Sequence, residues 1–217
     1  MENEVSGEIE LFSQAANNNK QPIADALEQI LFPGARVLEI GSGSGQHVLH
    51  FAKELREVIW QPTDRDPYFS ALERNLDRKP HYKIRKPLYL DVEHFNVSGF
   101  YDFVFCANVV HIIAKELLPM LLCGVARLLE SGGSLIIYGP FKYEGKFTAS
   151  SNKEFDNWLQ LRDPVSGIRD IEALLMEAKS HGFSLQMDKL MPANNQLLML
   201  EKIDSDHQVA ENFVPFA

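Results

Sequence analysis

Residues 37–47 read Val37-Leu38-Glu39-Ile40-Gly41-Ser42-Gly43-Ser44-Gly45-Gln46-His47. An apolar run with an acid at its third position leads into three glycines at alternate positions, and the apolar residues that follow recur at helical spacing. This order predicts a buried strand, a tight turn and a helix whose N-terminus faces a ligand. Glycine suits the turn because it tolerates positive φ angles and lets a ligand approach bare backbone. The N–H groups at the helix start favour an anionic or hydrogen-bond-accepting group.

Two other nucleotide motifs fit this chain less well. The dinucleotide fingerprint requires a third glycine where Gln46 stands, which argues against NAD or FAD. The Walker pattern fails because Phe147 replaces the hydroxyl after Lys146, and Gly139 lies one residue too far upstream. The remaining order resembles motif I of the class I S-adenosylmethionine (SAM) dependent methyltransferases. The glycine-rich turn alone is equally typical of other nucleotide-type sites, and a nicotinamide oxidoreductase remains a third hypothesis.

Composition bounds the class of protein. The chain has 217 residues, 45% of them hydrophobic, and a formal net charge of -9, which argues against a phosphate-backbone grip on DNA or RNA. The basic stretch 79–86 is interpreted as a solvated loop. Cys106 and Cys123 lack metal-type spacing, so reduced thiols and a cytoplasmic location are expected. No signal peptide or membrane span is expected either.

Strand and helix patterns alternate along the chain. After the first strand they predict strands at Val58–Gln61 (stopped by Pro62), Leu88–Val92, Tyr101–Ala107, Leu135–Tyr138, Leu185–Met191 and Leu197–Glu201. Predicted helices include one that begins at Pro22 after a loop at Asn17–Lys20, one from about Lys115 to Leu129 closed by Ser131–Gly133, and one from Asp170 to His181. The order predicts an α/β fold: a Rossmann-like, seven-stranded, mostly parallel sheet with helices on both faces and a C-terminal antiparallel hairpin. One domain is expected over residues 1–203, with a tail at 204–217 in which Phe213, Val214 and Phe216 could dock on a surface.

Acidic residues follow two of the predicted strands. Asp64 lies about 20 residues beyond the glycines, where α/β nucleotide sites present a carboxylate to ribose hydroxyls. The alternative is a helix N-cap, which Asp66 would fill equally well. Asp91 ends the next predicted strand. It is either a ligand-binding residue or an aspartate with only a structural role in a turn.

Several motifs together resemble a small methyltransferase-like family, found in bacteria and animals and described mainly as a domain of unknown function. The resemblance spans about Ala15 to Lys202. It rests on residues 37–47 and on Asn19-Lys20-x-Pro22-Ile23, Trp60-Gln61-Pro62-Thr63-Asp64, Leu90-Asp91-Val92, Tyr138-Gly139-Pro140-Phe141, Arg162-Asp163-Pro164 and Met191-Pro192-Ala193-Asn194-Asn195.

This resemblance implies SAM as the cofactor but supplies no acceptor. It implies cofactor contacts from the turn, contact of Asp91 with the adenine amino group, and packing of Val92 on the ring. The implied cofactor-binding residues are Glu39, Gly41, Ser42, Gly43, Gly45, His47, Asp64, Asp91, Val92 and Asn108. The Asp/Asn-Pro-Pro-aromatic motif of many nucleic-acid methyltransferases is replaced by Asn108-Val109-Val110-His111, which is more similar to small-molecule enzymes.

Two histidine patterns are candidates for chemistry. His111 follows the fourth strand and is the best candidate for a general base; the alternative is a histidine that packs at a helix start. His47 and His50 lie three residues apart without the catalytic glutamate of zinc enzymes, so no metal is expected. A contact of His47 near the methionine end of SAM is the preferred interpretation.

Residues 140–169 are aromatic, polar and rich in turns, and we interpret them as a lid or substrate wall. Candidate substrate-binding residues are Tyr138, Phe141, Asn152, Phe155, Trp158 and Arg162. Arg162 and Arg169 could clamp an anionic group of the substrate or pair with Asp163 and Asp170.

The predicted function is methyl transfer to a small-molecule acceptor that the sequence does not identify. The alternative is a non-catalytic module that binds SAM or S-adenosylhomocysteine and acts through protein partners. The oligomeric state is not predicted.

Overall fold

The computed structural model describes residues 9–55 and 57–203, so the predicted tail at 204–217 lies outside the described residues. The chain forms two compact units, of which the first ends at Asp91 and the second begins at Val92. The first contains α1 (Gln14–Glu28), β1 (Arg36–Ile40), α2 (Gln46–Glu54), β2 (Ile59–Asp64), α3 (Phe69–Arg78) and β3 (Leu88–Tyr89). The second contains β4 (Tyr101–Ala107), α4 (Leu118–Leu128), β5 (Leu129–Gly139), β6 (Phe141–Tyr143), β7 (Lys146–Phe147), α5 (Ser150–Arg162), β8 (Arg169–Asp170), α6 (Ile171–Ser180), β9 (Phe183–Met191) and β10 (Asn195–Lys202).

Parallel pairing organises the strands of the first unit. β1 pairs with β2, with Ile40 opposite Thr63, and β2 pairs with β3. The central apolar run is buried, as its composition predicts, and Val37, Leu38 and Trp60 are almost inaccessible to solvent. The carboxyl ends of β1 and β2 therefore lie side by side.

The second unit combines parallel and antiparallel pairs. β4 pairs with β5 in parallel, and β10 pairs in antiparallel fashion with both β5 and β9. A separate small sheet has the order β7-β6-β8. The main strands make up the predicted seven-stranded, mostly parallel α/β sheet with a C-terminal antiparallel pair. Within the described ranges, no helix is long and apolar enough to cross a membrane.

The first helix begins earlier than predicted. The loop expected at Asn17–Lys20 is helical, because Ser13 caps the helix through its hydroxyl oxygen, which accepts a hydrogen bond from the Ala16 N–H. Pro22 therefore lies inside α1 rather than in its first turn. The apolar face that follows it is buried, which offsets the missing backbone hydrogen bond.

Pro62 was expected to stop the second strand and instead lies within it. The Trp60 N–H donates to Lys83 O, so alternate residues of β2, including Pro62, face the β3 side. On that side the Gln61 side-chain amide donates to Lys86 O at 2.7 Å. A side chain thus supplies a bond at the point where proline has no N–H to offer.

Two further boundaries were wrong. The strand predicted at Leu88–Val92 covers only Leu88–Tyr89, and both residues are partly exposed, as at a sheet edge. Ser131–Gly133 does not end a helix but lies inside β5. The register with β4 shifts across that stretch, and Gly132 has a φ of 82°, so an irregular strand replaces the expected stop.

Gly124 in α4 packs against Phe95 so closely that a side chain does not fit. A Cβ at this position would lie 2.4 Å from Cγ of the Phe95 ring. We expect Gly124→Ala to lower the free energy of unfolding by about 1–3 kcal/mol, measured by urea denaturation.

A Phe95→Ala background is the control for this clash. Without the ring, Gly124→Ala should be neutral or stabilising by up to about 1 kcal/mol, because alanine is the better helix former. Equal destabilisation in both backgrounds would show that the ring does not cause the effect.

Candidate functional site

The glycine turn, Gly41–Gly45, joins β1 to α2 in the first unit. Gly43 has a φ of 56°, and a Cβ there would meet nothing within 4 Å, so its surroundings are open. Gly45 has a φ of 80°, and its Cβ would lie 3.1 Å from the Leu72 side chain of α3. The turn therefore needs glycine for its backbone conformation at both positions, and it leaves room for a ligand beside Gly43.

Asp64 holds this turn. One carboxylate oxygen accepts the Gly43 N–H at 2.6 Å, and the other accepts the Arg65 N–H at 2.8 Å. Burial raises the pKa of Asp64, while these backbone donors oppose the rise. Each carboxylate oxygen can accept a further hydrogen bond, which is what a ribose diol requires.

The alternative role of Asp64 or Asp66 as a helix cap is not realised. α3 begins at Phe69, and the residue that precedes it, Tyr68, makes no side-chain cap hydrogen bond. The carboxylate of Asp64 is directed instead to the glycine turn. Asp64 thus contacts the turn rather than the start of α3, and its contact with a ribose stays a prediction.

Glu39 is buried beneath the glycine turn. Its side chain accepts a hydrogen bond from the Ser42 hydroxyl at 2.7 Å. Burial, together with the charge of Asp64, raises the pKa of Glu39 to about 7, although the hydrogen bond from Ser42 opposes the rise. Among the described residues, neither the Glu39 nor the Asp64 carboxylate lies within 4.0 Å of a lysine or arginine side-chain nitrogen.

His47 lies beside Glu39 without forming an ion pair. Its Nδ1 is 4.0 Å from the Glu39 carboxylate, and its Nε2 is 2.7 Å from Asn19 Oδ1 of α1. Burial lowers the pKa of His47 to about 4, so the imidazole is neutral near pH 7. The Asn19 contact fixes the ring, and no local sequence pattern indicates this contact.

Asp91 lies at the end of the first unit and contacts Arg65, whose guanidinium is 3.3 Å away. The neighbouring Leu90 N–H donates to Asp64 O at 2.9 Å, which ties this segment to the end of β2. Val92 is buried in a short 3-10 helix at the start of the second unit. Adenine recognition by Asp91 and Val92 stays a prediction.

Asn108 and His111 converge on Gly139 in the second unit. Asn108 has a φ of 60°, an uncommon conformation for a non-glycine residue, and its N–H donates to Tyr138 O. A Cβ at Gly139 would lie 3.3 Å from His111 Nδ1 and 3.7 Å from Asn108 Oδ1. Gly139 thus lets these two polar groups approach the end of β5.

His111 is a buried imidazole with an unused nitrogen. It is 1% exposed, and its Nδ1 has no hydrogen-bond partner within residues 9–55 and 57–203. Burial lowers the pKa of His111 to about 4, and the charge of Arg169 adds to that effect. A neutral imidazole whose nitrogen lacks a partner suits a group that accepts a proton from a ligand.

Arg169 has a different role from the predicted substrate clamp. Its guanidinium donates to the carbonyls of Val110, Ile113 and Val165. It therefore fixes the loop that carries His111. Nothing in the sequence around Arg169 indicates this long-range contact.

An aromatic stripe runs along α5. Phe155 packs edge-on against His111 with ring centroids 5.5 Å apart, and it stacks on Trp158 at 5.8 Å. The Arg162 guanidinium lies 5.5 Å from the Trp158 ring. The stripe thus extends from a buried histidine to a half-exposed indole, as the spacing i, i+3 and i+7 permits.

Three predicted substrate-binding residues are buried. Tyr138 and Phe141 are at most 1% exposed. Asn152 donates to Thr148 Oγ1 and to Asn194 O, which attaches α5 to the turn before β10. Their contact with an acceptor stays a prediction.

The segment 140–169 also borders a groove of about 310 Å³ in the second unit, lined by Lys142, Asp156, Arg169 and neighbouring residues. No group of three or more histidine, cysteine, aspartate or glutamate side chains in the described part of the chain could hold a metal ion.

The raised pKa of the buried Glu39 makes the free energy of unfolding depend on pH. The folded state binds the Glu39 proton more tightly than the unfolded state, so stability falls as pH rises from about 4.5 through about 7. Relative to Glu39→Gln, the wild-type protein should lose roughly 3 kcal/mol between about pH 5 and pH 8 in urea unfolding. A constant difference between the two proteins would contradict this prediction.

Solved structures share the fold at low sequence identity. An O-methyltransferase family protein from Burkholderia thailandensis superposes with a TM-score of 0.72 at 15% identity, over 88% of this chain and 58% of its own length. Mitomycin 7-O-methyltransferase gives 0.74 at 16%, over 87% and 54%. Human N-acetylserotonin methyltransferase in complex with SAM gives 0.73 at 16%, over 88% and 53%. The chain thus spans little more than half the length of these proteins.

The family model described as a protein of unknown function (DUF938) matches residues 10–202. That match includes the glycine turn, both strand-end aspartates, the His111 loop and the aromatic stripe. The chain therefore belongs to the DUF938 family.

Proposed function

We propose that this protein is a SAM-dependent methyltransferase that acts on a small-molecule acceptor. The observation that carries the proposal is the open glycine turn, held by a buried carboxylate that keeps hydrogen-bonding capacity for a ribose. The shared fold supports the proposal, since one of the similar structures contains SAM. The function of those proteins is not transferred by similarity alone.

The charge of the turn favours SAM over a dinucleotide. SAM carries a sulfonium, an ammonium and a carboxylate, so its net charge is positive. Glu39 and Asp64 are buried carboxylates whose pKa values are raised, and a cationic ligand would stabilise their ionised forms. The pyrophosphate of NAD would meet the same carboxylates with the opposite effect.

We assign the following roles at the cofactor to residues of the first unit. Asp64 would accept hydrogen bonds from the ribose, and the backbone around Gly43 would line the open space. Glu39, Gly41, Ser42, Gly45 and His47 complete the turn, and Asp91 is the proposed adenine contact. In the second unit, Val92 and Asn108 keep their proposed roles at the cofactor.

Bound SAM would supply an activated methyl group for in-line displacement at carbon, so the protein needs mainly to orient the acceptor and exclude water. A hydroxyl or ammonium acceptor must also lose a proton. His111 would accept that proton at Nδ1, since the imidazole is neutral near pH 7 and this nitrogen has no hydrogen-bond partner in the described part of the chain. Phe155 and Trp158 would pack on the acceptor, and Arg162 would lie at the outer end of this wall.

Asp64→Asn tests the cofactor site. The amide keeps the shape of the side chain but removes the charge, so the Kd for SAM, measured by calorimetry, should rise about tenfold or more. Asp77→Asn, on the exposed side of α3, removes the same charge and should leave the Kd unchanged. Absence of SAM and S-adenosylhomocysteine binding by the wild-type protein at millimolar concentration would refute the proposal.

His111→Gln tests the general base. Methyl transfer to an acceptor found by screening metabolite extracts should fall by about 100-fold to 10,000-fold, while the Kd for SAM stays within about twofold. His94→Gln is the control, because His94 is exposed at the end of the short 3-10 helix Val92–His94. If activity survives in His111→Gln, the histidine has the packing role that the sequence left open.

A further inference from the structure

Residues Glu10–Ser13, which we name the N-terminal strap, cross the glycine turn and are attached to it at both ends. At the first end, Asn75 of α3 accepts the Glu10 N–H and donates to Glu10 O, both at 3.0 Å. The same amide donates to Ser44 O at 2.9 Å. One buried side chain therefore joins the strap to the residue between Gly43 and Gly45.

Gln46 makes the matching attachment at the other end. Its Oε1 accepts the Ser13 N–H at 2.5 Å, and its Nε2 donates to Ser13 O at 3.2 Å. The Ser44 hydroxyl donates to the same Oε1 at 2.9 Å. The two side chains that hold the ends of the strap, Asn75 and Gln46, thus both bind Ser44. Gln46 occupies the position where a dinucleotide fingerprint would have glycine.

A charged contact reinforces the first attachment. The Glu10 carboxylate lies 2.7 Å from the guanidinium groups of both Arg74 and Arg78. These groups are partly exposed, so they contribute less than the buried amides. They nonetheless fix the direction in which the strap leaves α3.

The middle of the strap carries two large apolar side chains next to each other. Leu11 has a φ of 54°, and Leu11 and Phe12 are 53% and 54% exposed. The strap thus attaches its backbone to two side-chain amides and leaves both apolar side chains half accessible. They are therefore available for contact with the apolar parts of a ligand.

We propose that the N-terminal strap is part of the cofactor site. Leu11 and Phe12 cover the apolar parts of SAM, and Gln46 and Asn75 are positioning residues that hold both the strap and Ser44. The adjacent open space at Gly43 is the place where that ligand would lie. This inference rests on the proposed function, because its ligand is SAM.

Phe12→Ala tests the cover. The Kd for SAM, measured by calorimetry, should rise roughly fivefold to tenfold while the melting temperature stays nearly constant. Phe32→Ala is the matched control, because Phe32 is 51% exposed in the same unit, and it should leave the Kd unchanged. Equal Kd values for Phe12→Ala and the wild type would overturn the inference.

Gln46→Leu tests the attachment through a double-mutant cycle. If Gln46 holds Phe12 in place, Phe12→Ala should have little further effect on the Kd in the Gln46→Leu background. Fully additive effects would show that Gln46 does not position the strap. Wild-type protein that bound no SAM would refute the proposed function itself, whereas tight binding by Phe12→Ala would refute only the cover.

Discussion

The hydrogen bond from the Gly43 N–H to the Asp64 carboxylate is the contact on which the candidate site depends. It forms because β1 and β2 run in parallel, with Ile40 opposite Thr63, so that the residues after both strands meet. It places a carboxylate beside a turn in which Gly41, Gly43 and Gly45 all have positive φ angles. Without that parallel register, Asp64 would be an ordinary turn residue.

Two carboxylates are buried in the first unit. Glu39 and Asp64 form no ion pair with a lysine or arginine side chain among the described residues, and the neighbouring His47 is neutral. Burial raises the pKa of Asp64, and the charge of Arg65 lowers it but does not cancel the effect of burial. A buried carboxylate costs stability at neutral pH unless a cation lies close to it. The sulfonium of the proposed cofactor would be such a cation.

Much of the fold and part of the candidate site could be predicted from local sequence. The apolar run before the glycines, the acid after β2 and the terminal antiparallel strands all depend on patterns within a few residues. The prediction that Pro62 ends the strand was wrong because the sequence does not show which backbone groups of a strand need a partner. Here the side-chain amide of Gln61 donates the hydrogen bond that the proline nitrogen cannot. The segment Asn17–Lys20, expected to be a loop, is helical because the Ser13 cap and the contact of Asn19 with His47 outweigh its weak local helix propensity.

The long-range polar contacts had no local signal. Gln46 meets Ser13 across 33 residues, Asn75 meets Glu10 across 65, and Arg169 meets Val110 across 59. Such side chains look like ordinary surface residues in the sequence, because only the tertiary fold tells which backbone groups need partners. The burial of His111 likewise has no local signal, although its position after β4 makes it a candidate for the site.

A crystal structure of the protein with S-adenosylhomocysteine would show whether Asp64 binds the ribose. We expect both ribose hydroxyls to lie within hydrogen-bonding distance of the Asp64 carboxylate, while Gly43 keeps its own bond to that side chain. A nucleoside bound elsewhere, with Asp64 still contacting only Gly43 and Arg65, would contradict it.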